Sequence, residues 1–96
     1  MKYKIINISH TGNSGKRDET RKDGRYPLRI GRIVDLDIQK IRVGESLNLD
    51  YLLNADGSDY GGKCLITSPV VNLNKMERKL IIETVNSIFE FEKIED

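Results

Sequence analysis

The short glycine-rich segment at residues 11–16, TGNSGK, follows a hydrophobic run and invites comparison with a phosphate-binding P-loop. In that motif, glycines expose backbone N–H groups and a lysine contacts the phosphate. With Gly15 and Lys16 at the end of the motif, the spacing requires glycine where His10 stands and serine or threonine where Arg17 stands. The segment therefore predicts a loose anion-binding nest or a plain loop, and it argues against nucleotide hydrolysis.

Positive charge is concentrated in the first third of the chain. Residues 1–32 carry nine cationic and three acidic side chains, whereas residues 33–96 carry seven and twelve, so the formal net charge of +1 hides segments of +6 and −5. This asymmetry predicts an anionic partner or a charged protein surface. With Tyr26 as a stacking surface, the candidate phosphate contacts are Lys16, Arg17, Arg21, Lys22, Arg25, Arg29 and Arg32.

Three carboxylates, Asp18, Glu19 and Asp23, lie among these cations. Surface ion pairs worth ~0–1 kcal/mol each would cancel much of the charge. A solvated loop of mixed charge is therefore an alternative interpretation of the same segment. Arg29 and Arg32 are of greater interest, because the strand that we predict for this region would hold them more rigidly than a loop.

Other chemically reactive residues are few. The alternating run at residues 63–66 predicts that Cys64 is a small buried hydrophobic residue. A reactive thiol would need an activating neighbour, and His10 is the one histidine in the sequence. Asn54, Asp56 and Asp59 miss the EF-hand pattern, whose glycine would fall on Asp59, and predict a hairpin loop. No catalytic group, metal or cofactor is predicted. The acidic residues assigned to the polar faces of the last elements are Glu83, Glu90, Glu92, Glu95 and Asp96.

The composition indicates a small globular protein. With 96 residues, 38% of them hydrophobic, residues 1–96 have room for a single domain with one small core. The longest apolar run is far shorter than the ~20 residues that cross a bilayer, and the N-terminus has no signal-peptide pattern. A lone cysteine cannot form an internal disulfide, which agrees with a reducing compartment. We therefore predict a cytoplasmic protein without membrane association.

Alternation of apolar and polar residues predicts short strands joined by polar turns. The first strand covers residues 3–8. A long, exposed and mobile loop is expected at residues 10–26, which contain almost no apolar side chain. The second strand is predicted at residues 29–36, with Gly31 marking a bulge or a close backbone approach.

The clearest alternation lies in the middle of the chain. Residues 46–53 place three leucines and Tyr51 on one face, which is the pattern of a half-buried strand. A fourth strand is predicted at residues 63–71, where Pro69 indicates a sheet edge or a bulge. Residues 35–41 fit either a continued strand or a helical turn.

Residues 76–92 fit two structures. Six apolar residues between Met76 and Phe89 fall on one face of a helix. The β-branched run at residues 80–85 and the turn residues Asn86-Ser87 favour a closing β-hairpin. With the hairpin, five or six strands form a mainly β fold, a small barrel or twisted antiparallel sheet like those of the SH3 and OB classes. The alternative is an α+β fold with a C-terminal helix on the sheet.

Two patches of small polar residues interrupt these strands, Thr67-Ser68-Pro69 and Thr84 with Asn86-Ser87, and in a barrel they would be neighbours across strands. The pairing of residues 65–70 (LITSPV) with residues 82–89 (IETVNSIF) resembles very small β-rich accessory proteins of phages and mobile elements. The resemblance covers only the C-terminal third and carries no catalytic residue. It implies an accessory protein that acts by binding, for instance in countering a host defence system.

Two functions follow as hypotheses. The first is a non-enzymatic binding module whose basic loop and strand engage nucleic acid or a nucleotide-type ligand. The second is an inhibitor or scaffold of a host protein that acts through a sheet edge or through the acidic residues of segment 77–96. Exposed sheet edges would also permit a homodimer.

Overall fold

A computed structural model of the chain describes residues 1–13 and 15–95. Six antiparallel strands close into a barrel in which each strand pairs with its neighbours in sequence and the last strand pairs with the first. The predicted mainly β fold and small barrel are thus confirmed, with six strands. The strands are β1 (Lys2–His10), β2 (Ile33–Asp35), β3 (Ser46–Leu53), β4 (Cys64–Lys75), β5 (Lys79–Thr84) and β6 (Ser87–Glu95).

The barrel interior is filled by side chains that alternate along the strands. On β3, Leu47, Leu49 and Tyr51 are buried while the residues between them are exposed or half-exposed. Burying large apolar side chains is the main favourable contribution to folding, worth about 1.5–3 kcal/mol for each one. The period-two pattern therefore sets which face of β3 turns inward.

The chain ends in the β5–β6 hairpin, so the alternative of a C-terminal helix is wrong. Leu80 pairs with Phe91 and Ile82 pairs with Phe89, and all four side chains are buried. A helix would have buried Val85 with its apolar face, whereas Val85 lies exposed in the turn between the two strands.

Strand β4 is longer than predicted and belongs to both halves of the barrel. Its first part pairs with β3 up to Pro69, and its second part pairs with β5 from Val70 onward. Register shifts flank this change of partner on both sides. The predicted bulge at Pro69 is therefore confirmed, since proline cannot donate to a ladder and is tolerated where pairing is irregular.

The second predicted strand, residues 29–36, is wrong over its first half. A single helical turn, α1 (Tyr26–Arg29), with Pro27 in its first turn, stands where the strand was expected to begin. Proline favours the first turn of a helix because its fixed φ is preorganised for it. Gly31 then turns the chain with φ +93°, and a Cβ there would meet Ala55 Cβ at 2.9 Å. The close backbone approach predicted at Gly31 is confirmed.

The polar loop between β1 and α1 is exposed over most of its length but does not hang free. His10 N–H donates to Glu19 O at 2.9 Å and Arg21 N–H donates to Ile8 O at 2.8 Å, so the loop folds back along the end of β1. Gly15 packs on the His10 ring, where a Cβ would lie 2.7 Å from ring atoms. These contacts join the loop to the end of β1.

Residues 35–41, whose sequence fits either a strand or a helical turn, contain both. Strand β2 ends at Asp35, and a short 3-10 turn covers Ile38–Lys40. Asp37 caps this turn by accepting a hydrogen bond from Gln39 N at 3.1 Å.

Replacing Phe91 by alanine should lower the free energy of unfolding by about 3–5 kcal/mol, because its buried ring packs against Phe89 and Tyr3. Urea denaturation followed by far-ultraviolet circular dichroism measures the loss. Val71→Ala, at a half-exposed position of β4, is the control and should change stability by less than about 0.5 kcal/mol. Equal losses in the two variants would contradict the assignment of Phe91 to the core.

Candidate anion-binding site

Arg21 is buried, and its guanidinium is directed into the protein. Nε and Nη2 donate to the two carboxylate oxygens of Asp23 at 3.0 and 2.5 Å, while Nη1 donates to Asn86 O and Ser87 Oγ, both at 2.9 Å. The hydrogen bonds between the two charged groups raise the pKa of Arg21 and hold the pKa of Asp23 at about 2. Four of the five guanidinium N–H donors are thereby engaged. Arg21 fastens the loop to the β5–β6 turn and is not positioned to hold a ligand.

Arg17 is also engaged within the protein. Its Nη2 and Nη1 donate to Glu83 Oε1 and Oε2 at 2.6 and 3.1 Å, and the pKa of Arg17 is raised by this bidentate pair. Lys16 and Lys22 are exposed on the loop and line neither of the cavities described below. Four of the eight predicted site residues thus lie outside the lining of those cavities: Lys16, Arg17, Arg21 and Lys22.

The remaining four predicted residues lie together around α1. The guanidinium carbons of Arg21 and Arg29 stand 3.9 and 4.7 Å from the centroid of the Tyr26 ring. Ser87 Oγ lies 3.4 Å from the Tyr26 hydroxyl and donates to it. Arg29, the last residue of α1, and the buried Arg21 therefore contact the same ring, so the position of one guanidinium depends on the position of the other. The strand that we predicted for Arg29 and Arg32 does not hold them: Arg29 ends α1, and Arg32 lies directly before β2.

Arg32 stacks on a second pair of aromatic rings. Its guanidinium carbon lies 4.4 Å from the Tyr60 centroid and 4.9 Å from the Tyr51 centroid, and Lys63 Nζ lies 4.5 Å from Tyr60. The two rings meet edge to face with centroids 5.2 Å apart. Sequence reasoning missed Tyr60 and Lys63, since the one local signal, an aromatic residue followed by Gly-Gly-Lys, is common in loops.

We call the group formed by Arg25, Arg29, Arg32 and Lys63 the cationic face. Among residues 1–13 and 15–95, no carboxylate lies within salt-bridge distance of any of these four side chains. By contrast, both Arg17 and Arg21 have a carboxylate partner. The cationic face is therefore a cluster of positive charge that no carboxylate of the described residues compensates.

A basic cavity of about 460 Å³ opens at the cationic face. Two of its polar atoms, the Tyr51 hydroxyl oxygen and Arg32 Nε, are buried and have no hydrogen-bond partner in the described part of the chain. Leaving a buried polar group unpaired costs about 1–3 kcal/mol. The side chains that line the basic cavity include Arg25, Leu28, Arg29, Arg32, Tyr51 and Tyr60.

A hydroxyl-lined cavity of about 300 Å³ adjoins the basic cavity, and the two share Arg29 and Leu65. The polar patches predicted to meet across strands do so here, since Asn86 N donates to Ser68 Oγ at 3.1 Å and Val85 N donates to Pro69 O at 3.0 Å. The polar side chains that line the hydroxyl-lined cavity are Tyr26, Thr67, Ser68, Thr84, Asn86 and Ser87.

Cys64 is exposed, so its predicted burial is wrong. It pairs with Asp50 of β3, whose side chain is also exposed, and the inward-facing position falls on the next residue, Leu65. The true alternation at the start of β4 is therefore one residue out of phase with the predicted one. Cys64 lies in the lining of the basic cavity.

Two other acidic candidates, Asp56 and Glu92, stabilise a turn or have cationic neighbours, while the side chains of Glu95 and Asp96 lie outside the described residues. Asp56 accepts hydrogen bonds from Ser58 N and Oγ at 2.9 and 2.6 Å, which lowers the pKa of Asp56 and confirms the predicted hairpin loop. Glu92 lies between Lys4 of β1 and Lys79 of β5 in the ladder. A separate cavity of about 550 Å³ has three carboxylates in its lining, those of Asp35, Asp37 and Asp50, together with Lys40 and Met1.

Comparison of the chain with protein-family models, with curated proteins and with solved structures found no match. The resemblance to phage accessory proteins therefore stays a prediction. Within the described residues, the single helical turn and the 3-10 turn are far too short to span a bilayer.

Replacing Arg21 by methionine should destabilise the fold by about 2 kcal/mol, because Asn86 O and Ser87 Oγ lose a charged donor inside the protein. The measurement is urea denaturation, with limited trypsin digestion to detect release of the loop. Arg17→Met is the matched control, since that side chain is half-exposed and its ion pair with Glu83 is screened by solvent, so the loss should be clearly smaller. A larger loss for Arg17→Met would refute the conclusion that Arg21 fastens the loop to the β5–β6 turn.

The ion pair between Arg21 and Asp23 should make stability depend on acid. The pKa of Asp23 lies at about 2 in the folded protein, below its ordinary value of 3.8, so the stabilisation is complete above 3.8 and disappears as pH falls through about 2. Thermal unfolding between about pH 5 and pH 2 should show a smaller loss for Asp23→Asn than for the native chain. Asp18→Asn, the same change on an exposed residue of the same loop, should follow the native curve.

Proposed function

We propose that the protein is a non-enzymatic binding module that holds a phosphate-bearing ligand, nucleic acid or nucleotide, on the cationic face. One observation carries the proposal. Three cations without a carboxylate partner in the described part of the chain, Arg25, Arg29 and Arg32, line one cavity, and Lys63 lies over the Tyr60 ring of its wall, while Arg17 and Arg21 are paired within the protein. Concentrated charge of one sign opposes folding by self-repulsion, so its presence on one face favours an anionic partner.

Stacking on tyrosine prepares the arginines for this task. The guanidinium groups of Arg29 and Arg32 rest against the rings of Tyr26 and Tyr60. A guanidinium held by its planar face keeps its N–H edge for a phosphate, where bidentate hydrogen bonds form. Because the Tyr26 ring restricts Arg29 before binding, less conformational entropy is lost when this side chain meets the phosphate. Binding alone is proposed, because guanidinium groups stay protonated and supply no general base.

A protein partner engaged through the acidic half of the chain is the other hypothesis, and it has less support. Glu83 is paired with Arg17, and Glu92 is flanked by two lysines in the sheet. The closed barrel pairs β1 with β6, so those two strands do not offer a sheet edge. A role as a phage accessory protein is compatible with either kind of partner. Charge reversal at Glu90 and Glu92 that abolished function, with the cationic face intact, would favour a protein partner.

Binding of a labelled single-stranded oligonucleotide should weaken steeply with salt, because phosphate contacts release counterions. Removing one cation that neutralises a phosphate should lower the slope of log K against log salt by about 0.7, so R25Q/R29Q/R32Q should lower it by about 2. Fluorescence anisotropy at several salt concentrations provides the measurement.

The matched control for this experiment is K75Q/R78Q/K79Q. It removes the same charge from the β4–β5 hairpin, which pairs with the far end of β6. This variant should bind nearly as the native chain does. Equal loss in the two triple variants, or an affinity that does not change with salt, would refute the proposed function.

A further inference from the structure

We infer that the two adjoining cavities form a bipartite site for a nucleoside phosphate, with the phosphate in the basic cavity and the base and sugar in the hydroxyl-lined cavity. The inference rests on the proposed binding function and adds to it an orientation and a ligand class. A nucleoside phosphate has one doubly charged end and one neutral end rich in hydrogen-bonding groups. The two cavities differ in the same way and share Arg29 and Leu65.

The basic cavity is suited to a terminal phosphate. Arg25, Arg29 and Arg32 all line it, and among residues 1–13 and 15–95 none of the three has a carboxylate partner. Two polar groups in its wall lack hydrogen-bond partners in the same part of the chain, the hydroxyl of Tyr51, a residue only 4% exposed, and Arg32 Nε. Both groups can donate a hydrogen bond, and phosphate oxygens are strong acceptors. Phosphate oxygens would therefore provide the hydrogen-bond acceptor that each of these two donors lacks.

Access to these two donors requires a movement of Arg32. Both atoms are covered in this conformation, in which the guanidinium lies over the rings of Tyr51 and Tyr60. A dianionic group drawing the guanidinium outward would uncover the Tyr51 hydroxyl and release the cost of its unpaired burial. Binding is thus expected to change the environment of these two tyrosines. The chain contains no tryptophan, so tyrosine fluorescence reports that change directly.

The hydroxyl-lined cavity offers neutral partners for a base and a sugar. The Tyr26 hydroxyl accepts from Ser87 Oγ, which leaves its own proton to donate. Asn86 is exposed, and its carboxamide has both donors and an acceptor, as the edge of a nucleobase does. Leu65 and Ile66 add apolar surface beside it. The volume of about 300 Å³ lies at the lower end of the range of small-molecule sites.

The test compares fragments of the ligand by calorimetry: nucleoside monophosphates, nucleosides and inorganic phosphate. A monophosphate should bind at least about tenfold more tightly than inorganic phosphate or the nucleoside, because only it fills both cavities. Tyr51→Phe should weaken the monophosphate about tenfold, the effect of one hydrogen bond to a charged group. Tyr3→Phe, which changes a buried tyrosine of the core, is its control and should leave binding unchanged.

A second variant tests the hydroxyl-lined cavity independently of the basic cavity. Asn86→Ala should weaken the monophosphate about fivefold and leave inorganic phosphate unaffected, because it removes one neutral hydrogen bond. Asn74→Ala, an exposed position at the far end of β4, should match the native chain. Protection of Cys64 from iodoacetamide by the monophosphate gives an independent readout, since its side chain lines the basic cavity. Thermal unfolding confirms that each variant is folded.

Further arms identify the source of the ligand. Tight binding of free monophosphates with weak binding of oligonucleotides would support a free nucleotide, and preference for a 5′-phosphorylated oligonucleotide over its 5′-hydroxyl form would support a strand end. Oligonucleotide binding with a steep salt dependence, but indifferent to the 5′-phosphate and to both substitutions, would overturn the bipartite site and leave the binding function standing. No binding of any nucleotide or oligonucleotide would overturn both.

Discussion

Between the β5–β6 turn and the long β1–β2 connection lies one buried guanidinium, that of Arg21. It is held by Asp23 on its own loop and by Ser87 on the opposite strand, and it stacks on Tyr26. Burying a cation is costly unless paired hydrogen bonds replace its hydration. The loop therefore has to adopt the one arrangement that satisfies the group, and this arrangement places α1, with Arg29, against the barrel.

The cations of the loop consequently divide into two kinds. Those paired with carboxylates join distant parts of the chain, as Arg17 does with Glu83, sixty-six residues away in sequence. Arg29 and Arg32, by contrast, rest on aromatic rings, where the attraction of a cation to a ring contributes about 0.5–2 kcal/mol without neutralising the charge. Stacking thus orders Arg29 and Arg32 while preserving their attraction for an anion. Stacking on a ring therefore restricts an arginine without neutralising its charge, whereas a salt bridge would neutralise it.

Most of the barrel could be predicted because its strands repeat a simple pattern. The alternation of Leu47, Leu49 and Tyr51 indicates a strand whose inward face is unambiguous, and the β-branched run before Asn86 favours a hairpin. The errors arise where two patterns compete. Around α1, local backbone preferences outweigh the alternation that predicts a strand, and at Cys64 two phases of the alternation fit the same residues.

The sequence by itself determined the fold class and the enrichment of positive charge before β2, because strand periodicity and composition are local properties of a chain. Only the tertiary structure decided which of those charges meet carboxylates and which stay uncompensated. It also brought Tyr60, in the β3–β4 connection, into contact with both Arg32 and Lys63. Ion pairs and cavities form between residues far apart in sequence, and their partners follow from closure of the barrel rather than from spacing along the chain.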